Sequence, residues 1–95
     1  MSIIAEEITA TGNITTDECH YIGCSLVDVT GDARAQVYGS TATQSTATSV
    51  DTLAASDEGQ GDHNMLPMPG VRCPAGIHVV LTGSGFQCIV YWVRG

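Results

Sequence analysis

The sequence predicts a small all-β protein, an antiparallel β-sandwich or jelly-roll-like barrel that forms one domain over residues 1–95. Short runs of strand-forming residues recur at intervals of roughly 8–12 residues, separated by Gly, Pro and Asn or Asp turn signals. No segment shows a sustained helical period. A domain of 95 residues buries only about 60–65% of its unfolded surface, so we expect it to gain stability from partners.

The N-terminal half contains four predicted strands. Residues 2–10 and 14–17 lie on either side of a Thr-Gly-Asn turn signal. Residues 19–30 and 33–39 flank a Thr-Gly-Asp turn signal and are predicted to pair as a hairpin. Strict alternation in the first of these strands predicts two faces, one with His20, Ile22, Cys24 and Leu26 and the other with Tyr21, Gly23, Ser25, Val27 and Val29.

The C-terminal half contains the longest apolar strands. Residues 40–52 are rich in Ser, Thr and Ala, which indicates a surface loop followed by a strand at 49–53. Residues 65–70 are apolar but contain two prolines, which favours an edge strand or an extended strap. Residues 77–82 and 86–94 are predicted to form a hairpin through a Gly-Ser-Gly turn and to organise the core, because they hold the single Phe and the single Trp.

The last strand is apolar on both faces. Phe86, Cys88, Val90 and Trp92 alternate with a second apolar set, whereas a half-exposed strand normally alternates with polar residues. Either the strand is central and covered on both sides, or its second face meets another subunit. We favour the subunit contact, because a two-layer sandwich leaves one face of every strand outside. The predicted interface combines that face with the apolar strap: Ile89, Tyr91, Val93, Met65, Leu66 and Met68.

Charge excludes several classes of partner. The net charge is −7, there is no Lys, and the three Arg are scattered, so the chain lacks the basic surface that a nucleic-acid-binding protein needs. No apolar run approaches the ~20 residues of a membrane span. The first ten residues have neither a basic start nor a long apolar core, so we expect no signal peptide. From the charge and the lack of a long apolar run, we expect neither a nucleic-acid partner nor a membrane partner.

The four cysteines are predicted to be buried thiols. Without an export signal, a reduced, cytosolic origin of the protein is favoured. One disulfide is still possible, but the sequence does not show which cysteines it would join. Alternation places Cys19 and Cys24 on opposite faces of one strand, and the histidines His63 and His78 are unpaired, which disfavours a zinc site. We therefore expect no metal and no cofactor, with the thiols of Cys19, Cys24, Cys73 and Cys88 acting as small hydrophobic groups.

Catalysis is not predicted. Residues 57–62 carry acidic side chains in a Gly-containing loop without the spacing of a known calcium loop, and an ordinary solvated loop is the favoured interpretation. His63 follows Asp62, but no nucleophile signature accompanies them. Glu6 and Glu7 point to opposite faces of a strand and so cannot act as a pair. We expect the protein not to be an enzyme.

Turn glycines and strand hydrophobics form one pattern across most of the chain. Its members are the mid-chain segment Val37-Tyr38-Gly39 and, in the C-terminal third, Pro69-Gly70-Val71, Gly76-Ile77, Val79, Leu81, Gly83, Ile89 or Val90, and Tyr91. The pattern resembles that of a diffuse group of small bacteriophage proteins of roughly this length, and the four cysteines and Trp92 depart from it.

The resemblance implies a virion protein that decorates or cements the capsid. Its implied partners are the major capsid protein and copies of itself as a homo-oligomer. Its implied location is the capsid surface, after assembly in the host cytoplasm. Two alternatives stay open: a tail, fibre or portal-associated component, and a small glycan- or host-binding β-sandwich that uses Tyr21, Tyr38 or Trp92 as a sugar platform.

Overall fold

The described part of the chain folds into nine antiparallel strands and no helix, in agreement with the predicted all-β sandwich. The structure is a computed structural model that describes residues 2–27, 32–55, 61–83 and 86–95. Its described residues therefore contain no helix long and apolar enough to cross a membrane. The strands are β1 (Ile4–Ile8), β2 (Gly12–Thr15), β3 (Cys19–Val27), β4 (Ala33–Tyr38), β5 (Ser49–Ala55), β6 (Asp62–Met65), β7 (Val71–Cys73), β8 (Ile77–Thr82) and β9 (Gln87–Arg94).

The strands form two sheets that face each other across the core. Sheet A has the order β1-β9-β3-β6, and β7 pairs with β3 beyond the end of β6. Sheet B has the order β2-β8-β4-β5. Most consecutive strands lie in different sheets, and β4 and β5 are the pair that forms a hairpin in the described chain.

Both predicted hairpins are wrong for the same reason. Strand β3 lies in sheet A and β4 in sheet B, and β8 lies in sheet B while β9 lies in sheet A. A short Gly-containing connection suits a chain that crosses from one sheet to the other as well as a chain that turns back within one sheet. The turn residues therefore indicate where one strand ends and the next begins, but they do not determine which strands pair with each other.

A bulge in β3 overturns the predicted alternation of that strand. The pairing of β3 with β9 shifts between Tyr21 and Gly23, so Ile22 is the extra residue. The shift brings Tyr21 onto the same inner face as Cys24, and both are fully buried. Cys19 and Cys24 accordingly share the core, whereas strict alternation had separated them.

The core lies between the inner faces of the two sheets. Sheet B contributes small and branched side chains, and sheet A contributes the larger aromatic ones, Tyr21 and Trp92. All four cysteines are completely buried there, as expected for thiols that pack like small hydrophobic groups. The remaining core side chains are Leu26, Ala33, Ala35, Val37, Leu53, Ala55, Ile77, Val79 and Val90.

Polar side chains close one side of the sandwich. The buried hydroxyl of Tyr21 donates to Asp51 Oδ2 at 2.6 Å, and Asn64 Nδ2 donates to the same oxygen at 3.2 Å. The backbone N–H of Ala54 donates to Asp62 Oδ2 at 3.2 Å. The Tyr21 bond joins β5, an edge strand of sheet B, to β3, and the other two bonds join β5 to β6, an edge strand of sheet A.

The proline-containing segment 66–70 forms the predicted strap. It follows the edge strand β6 and leads into β7, and the N–H of Leu66 donates to the carbonyl of Ile22 at 2.8 Å. Ile22, pushed out of the core face by the bulge, is only 1% exposed because this strap lies against it. The strap thus gives the outside of sheet A a small apolar cluster of its own.

Candidate functional site

The candidate site is the outer face of sheet A, where two of the predicted interface residues, Met65 and Tyr91, come into one row from distant segments of the chain. Gly23 in the middle of β3 pairs with Met65 on one side and with Tyr91 on the other. Tyr91 in turn pairs with Ala5 of the edge strand β1. Paired residues share a face of a sheet, so Met65, Gly23, Tyr91 and Ala5 form one row across four strands, which we call the apolar row.

A glycine allows this row to form. A Cβ added to Gly23 would overlap the carbonyl oxygen of Asn64 and would also meet the sulfur of Met65. Without a side chain at that position, the thioether extends over the backbone of β3 in the direction of Tyr91. Met65 nevertheless stays 47% exposed, so the row has a large apolar side chain in contact with solvent.

The outward face of β9 is covered to different extents along the strand. Cys88, Val90 and Trp92 point into the core, as alternation predicts. On the opposite face Ile89 is half-buried, whereas Val93 is 1% exposed. Val93 was predicted to contact a partner, but the chain itself covers its side chain, so the surface open to a partner narrows to Ile89 and Tyr91.

The two remaining predicted residues lie in the strap. Met68 is 52% exposed, which makes it one of the most exposed large apolar side chains of the described chain. Leu66 is half-buried and packs against the core cluster. The strap therefore has one residue that is free to meet another surface and one that mainly holds the strap in place.

Sheet B has a different outer face. Its rows contain mainly polar side chains, such as Gln36 between Thr52 and Val80. His78 Nδ1 lies 2.7 Å from Asn13 Oδ1 across the β2–β8 pair, so this histidine has a hydrogen-bond partner in its own sheet. The next row of sheet A places Ile89 between Glu7 and Ser25, so the apolar row, rather than the whole outer face, distinguishes sheet A from sheet B.

The sugar platform weighed from sequence is not present as predicted. Tyr21 and Trp92 are 0% and 3% exposed and belong to the core. Tyr38 alone of the three aromatic residues is partly exposed. Strict alternation placed Tyr21 on the face opposite Cys24, and the bulge in β3 instead brings it onto the same inner face.

The four thiols lie in two cross-strand pairs. The sulfur atoms of Cys24 and Cys88 are 3.5 Å apart on β3 and β9, and Cys19 lies directly opposite Cys73 in the pairing of β3 with β7. Burial, together with the neighbouring Cys73, raises the pKa of Cys19 to about 12. The hydrogen bond with Cys88, together with burial, raises the pKa of Cys24, whereas the same bond lowers the pKa of Cys88.

Metal chemistry has no candidate centre in the part of the chain that the structure describes. No group of three or more His, Cys, Asp or Glu side chains is arranged there to hold a metal ion. Of the acidic segment 57–62, residues 57–60 lie outside the described residues, and Asp62 bonds to the backbone of Ala54.

Comparison with known proteins assigns no family. No protein-family model matches the chain, and neither a curated protein nor a solved structure matches it. The resemblance to phage structural proteins is therefore a prediction made from the sequence.

Most residues of the apolar surface were predictable from the sequence, but their arrangement in one row across four strands was not. The period-two pattern of β9 and the apolar strap identified the residues. The row that joins Met65 to Tyr91 depends on Gly23, and an isolated glycine in a strand was the one available signal of a close approach.

Proposed function

We propose that this protein is a bacteriophage structural protein that decorates and cements the capsid through apolar and inter-subunit β-sheet contacts. Its partners are the major capsid protein and other copies of the same chain. Its location is the capsid surface, reached by assembly in the host cytoplasm. The observation that carries the proposal is the apolar row on sheet A together with the partly exposed Ile89 and Met68.

The apolar row supports a contact with another protein. A sheet face that meets only water normally carries polar side chains, as the outer face of sheet B does. Met65, Tyr91 and Ile89 instead keep large apolar groups partly exposed on sheet A. Burying such groups gains roughly 25 cal/mol per Å² of apolar surface, which a cementing protein uses to hold neighbouring subunits together.

The edge strand β1 supports contacts of the β-sheet type. It pairs with β9 on one side and, among the described residues, has no strand on the other. An open edge offers backbone N–H and C=O groups to a strand from another chain. Glu6 and Glu7 lie in the middle of β1, so its best partner is a neutral or basic strand, because a second acidic β1 would repel it.

The first test is the location and copy number of the chain in purified particles. The proposal expects hundreds of copies per particle on the capsid, and particles stripped of the protein should lose heat resistance and regain it when the protein is added back. A copy number of a dozen or fewer, located at the tail, would refute capsid decoration and support the alternative of a tail component. Absence from particles, or unchanged heat resistance after stripping, would refute cementing.

A matched pair of variants tests the surface itself. Ile89→Asp places a charge beside the apolar row and should reduce attachment to stripped particles at least tenfold while the monomer stays folded. Thr82→Asp adds the same charge on exposed sheet B, opposite Arg34, and should attach like the unmodified protein. Equal attachment of both variants would rule out this face of sheet A as the contact.

A further inference from the structure

The positions of the four cysteines exclude two of the three ways to pair them. Cys19 and Cys24 are five residues apart along one strand, which corresponds to about 16 Å. Cys19 pairs with Arg94 of β9, six residues from Cys88, which leaves roughly 20 Å between those two positions. Cys19 and Cys73 are direct partners, and Cys24 and Cys88 are diagonal neighbours, because Cys24 pairs with Val90 and Cys88 with Leu26. Only these two pairs bring thiols near enough for a disulfide, the first through its short backbone separation and the second through sulfur atoms 3.5 Å apart.

We propose that the protein is a double disulfide-forming module, in which an oxidant of the disulfide class, such as oxidised glutathione, converts the neighbouring thiols into the bonds Cys24–Cys88 and Cys19–Cys73. The closest approach carries the proposal: the two sulfur atoms of Cys24 and Cys88 already touch at 3.5 Å in the core. They need to approach each other by about 1.5 Å to reach bonding distance. This inference is independent of the proposed function.

The second pair, Cys19 and Cys73, has a Cα–Cα separation that suits a disulfide. Cys19 and Cys73 are direct partners in the antiparallel pairing of β3 with β7, and such partners have Cα atoms about 4.5–5.5 Å apart. That separation falls inside the range of natural disulfides. The Cys19 thiol lies 3.9 Å from the carbonyl oxygen of Cys73, which confirms that the side chain extends towards the opposite strand.

The chemistry of the first pair balances in two exchange steps. The thiolate of one cysteine of the pair attacks one sulfur of oxidised glutathione, forms a mixed disulfide and releases one glutathione thiolate. The thiolate of the other cysteine then attacks the protein sulfur of that mixed disulfide, forms the protein disulfide and releases the second glutathione. The protein loses two electrons and two protons, and one oxidised glutathione becomes two reduced ones.

The two bonds would join distant parts of the chain. Cys24 and Cys88 are 64 positions apart, and Cys19 and Cys73 are 54 positions apart. Closing loops of this length in the unfolded chain typically stabilises the folded state enough to raise Tm by roughly 10–20 °C per bond in a domain of this size. Both bonds start from β3, so they would fix its position against β9 and against β7.

The test maps the thiols of the unmodified protein after refolding from denaturant with oxidised and reduced glutathione. We expect the loss of two hydrogen atoms per bond, peptides linked 19–73 and 24–88, and a higher Tm that a reductant reverses. Either of the other connectivities in the refolded monomer would overturn the proposal. Four free thiols after refolding would overturn it equally, because the buried pairs were accessible throughout that procedure.

Double variants separate the two bonds. The double variant Cys19→Ala with Cys73→Ala should form the 24–88 bond alone, and Cys24→Ala with Cys88→Ala should form the 19–73 bond alone. The crossed control, Cys24→Ala with Cys73→Ala, leaves two thiols too far apart and should form no intramolecular bond. An intramolecular bond in the crossed control would show that the pairing does not follow the native register.

Discussion

Gly70 shows how strongly a single backbone position can depend on the absence of a side chain. It has a φ of +76° at the end of the strap, a conformation that L-residues with a Cβ rarely adopt. An added Cβ would overlap the carbonyl oxygen of Tyr21 and would come within 2.9 Å of Ile22 Cδ1. The strap can lie against the bulge in β3 only because this position is a glycine.

Replacing Gly70→Ala should therefore destabilise the protein by about 2–4 kcal/mol, the combined cost of the unfavourable backbone conformation and of overlap with β3. The measurement is urea denaturation of the reduced protein. Gly12→Ala is the matched control, because a Cβ there meets nothing within 4 Å, and it should change the stability by less than about 0.5 kcal/mol. Equal effects of the two substitutions would show that the strap does not press on the bulge.

At the scale of the strands, β3 determines how the two sheets meet. The extra residue at Ile22 changes which side chains face inward, so the first and second parts of the strand both contribute to one core. Cys19 and Tyr21 come from the first part, and Cys24 and Leu26 come from the second. A regular strand of the same sequence would have turned one of these pairs towards solvent.

Deleting Ile22 should cost about 2–5 kcal/mol, because it removes a buried side chain from under the strap and the carbonyl that accepts the Leu66 N–H. The deletion leaves Cys19, Tyr21, Cys24 and Leu26 on one face, since Ile22 is the extra residue of the bulge. Ile22→Val is the matched control: it keeps the bulge, shortens one side chain and should cost about 0.5–1.5 kcal/mol. Far-UV circular dichroism with denaturation measures both. A deletion variant as stable as Ile22→Val would show that the strap gains little stability from packing on Ile22.

Strands are also the level at which sequence reasoning reached its limit. The period of β9, the strap and the surface loop before β5 were all predictable, because each depends on residues that are close in sequence. The bulge at Ile22 was not predictable, because its position depends on the pairing of β3 with β9. The sequence of β3 fits a regular alternating strand, so no local feature indicates an extra residue. The burial of Val93 was likewise unpredictable, because it depends on tertiary packing.

At the scale of the whole molecule, buried protonated groups connect stability to pH. The core holds Cys19, Cys24 and Tyr21, and burial contributes to raising the pKa of each above its ordinary value. These groups ionise more readily in the unfolded chain, so the stability they contribute is fully present below about pH 9 and is lost as the pH rises through their folded values. The lowered pKa of Cys88 offsets part of this loss.

The free energy of unfolding of the reduced protein should fall by about 2–4 kcal/mol between pH 8 and pH 10.5, since each thiol with a raised pKa contributes up to about 1.4 kcal/mol per pH unit. Denaturation series in the presence of a reductant measure the decline. Cys19→Ala should show a shallower slope, because it lacks one of these groups. A stability that stays flat up to pH 10.5 would contradict the burial of protonated thiols.

The position of the last two strands has a consequence for biosynthesis. Strand β8 lies between β2 and β4, and β9 lies between β1 and β3, so the last strands of the described chain occupy interior places in the two sheets. While the ribosome is still making residues 77–94, β1 and β2 have no partner strand and the apolar edges of β3 and β4 are open. Nascent chains therefore pass through a stage that can join neighbouring chains, and slower translation after β7 would prolong that stage.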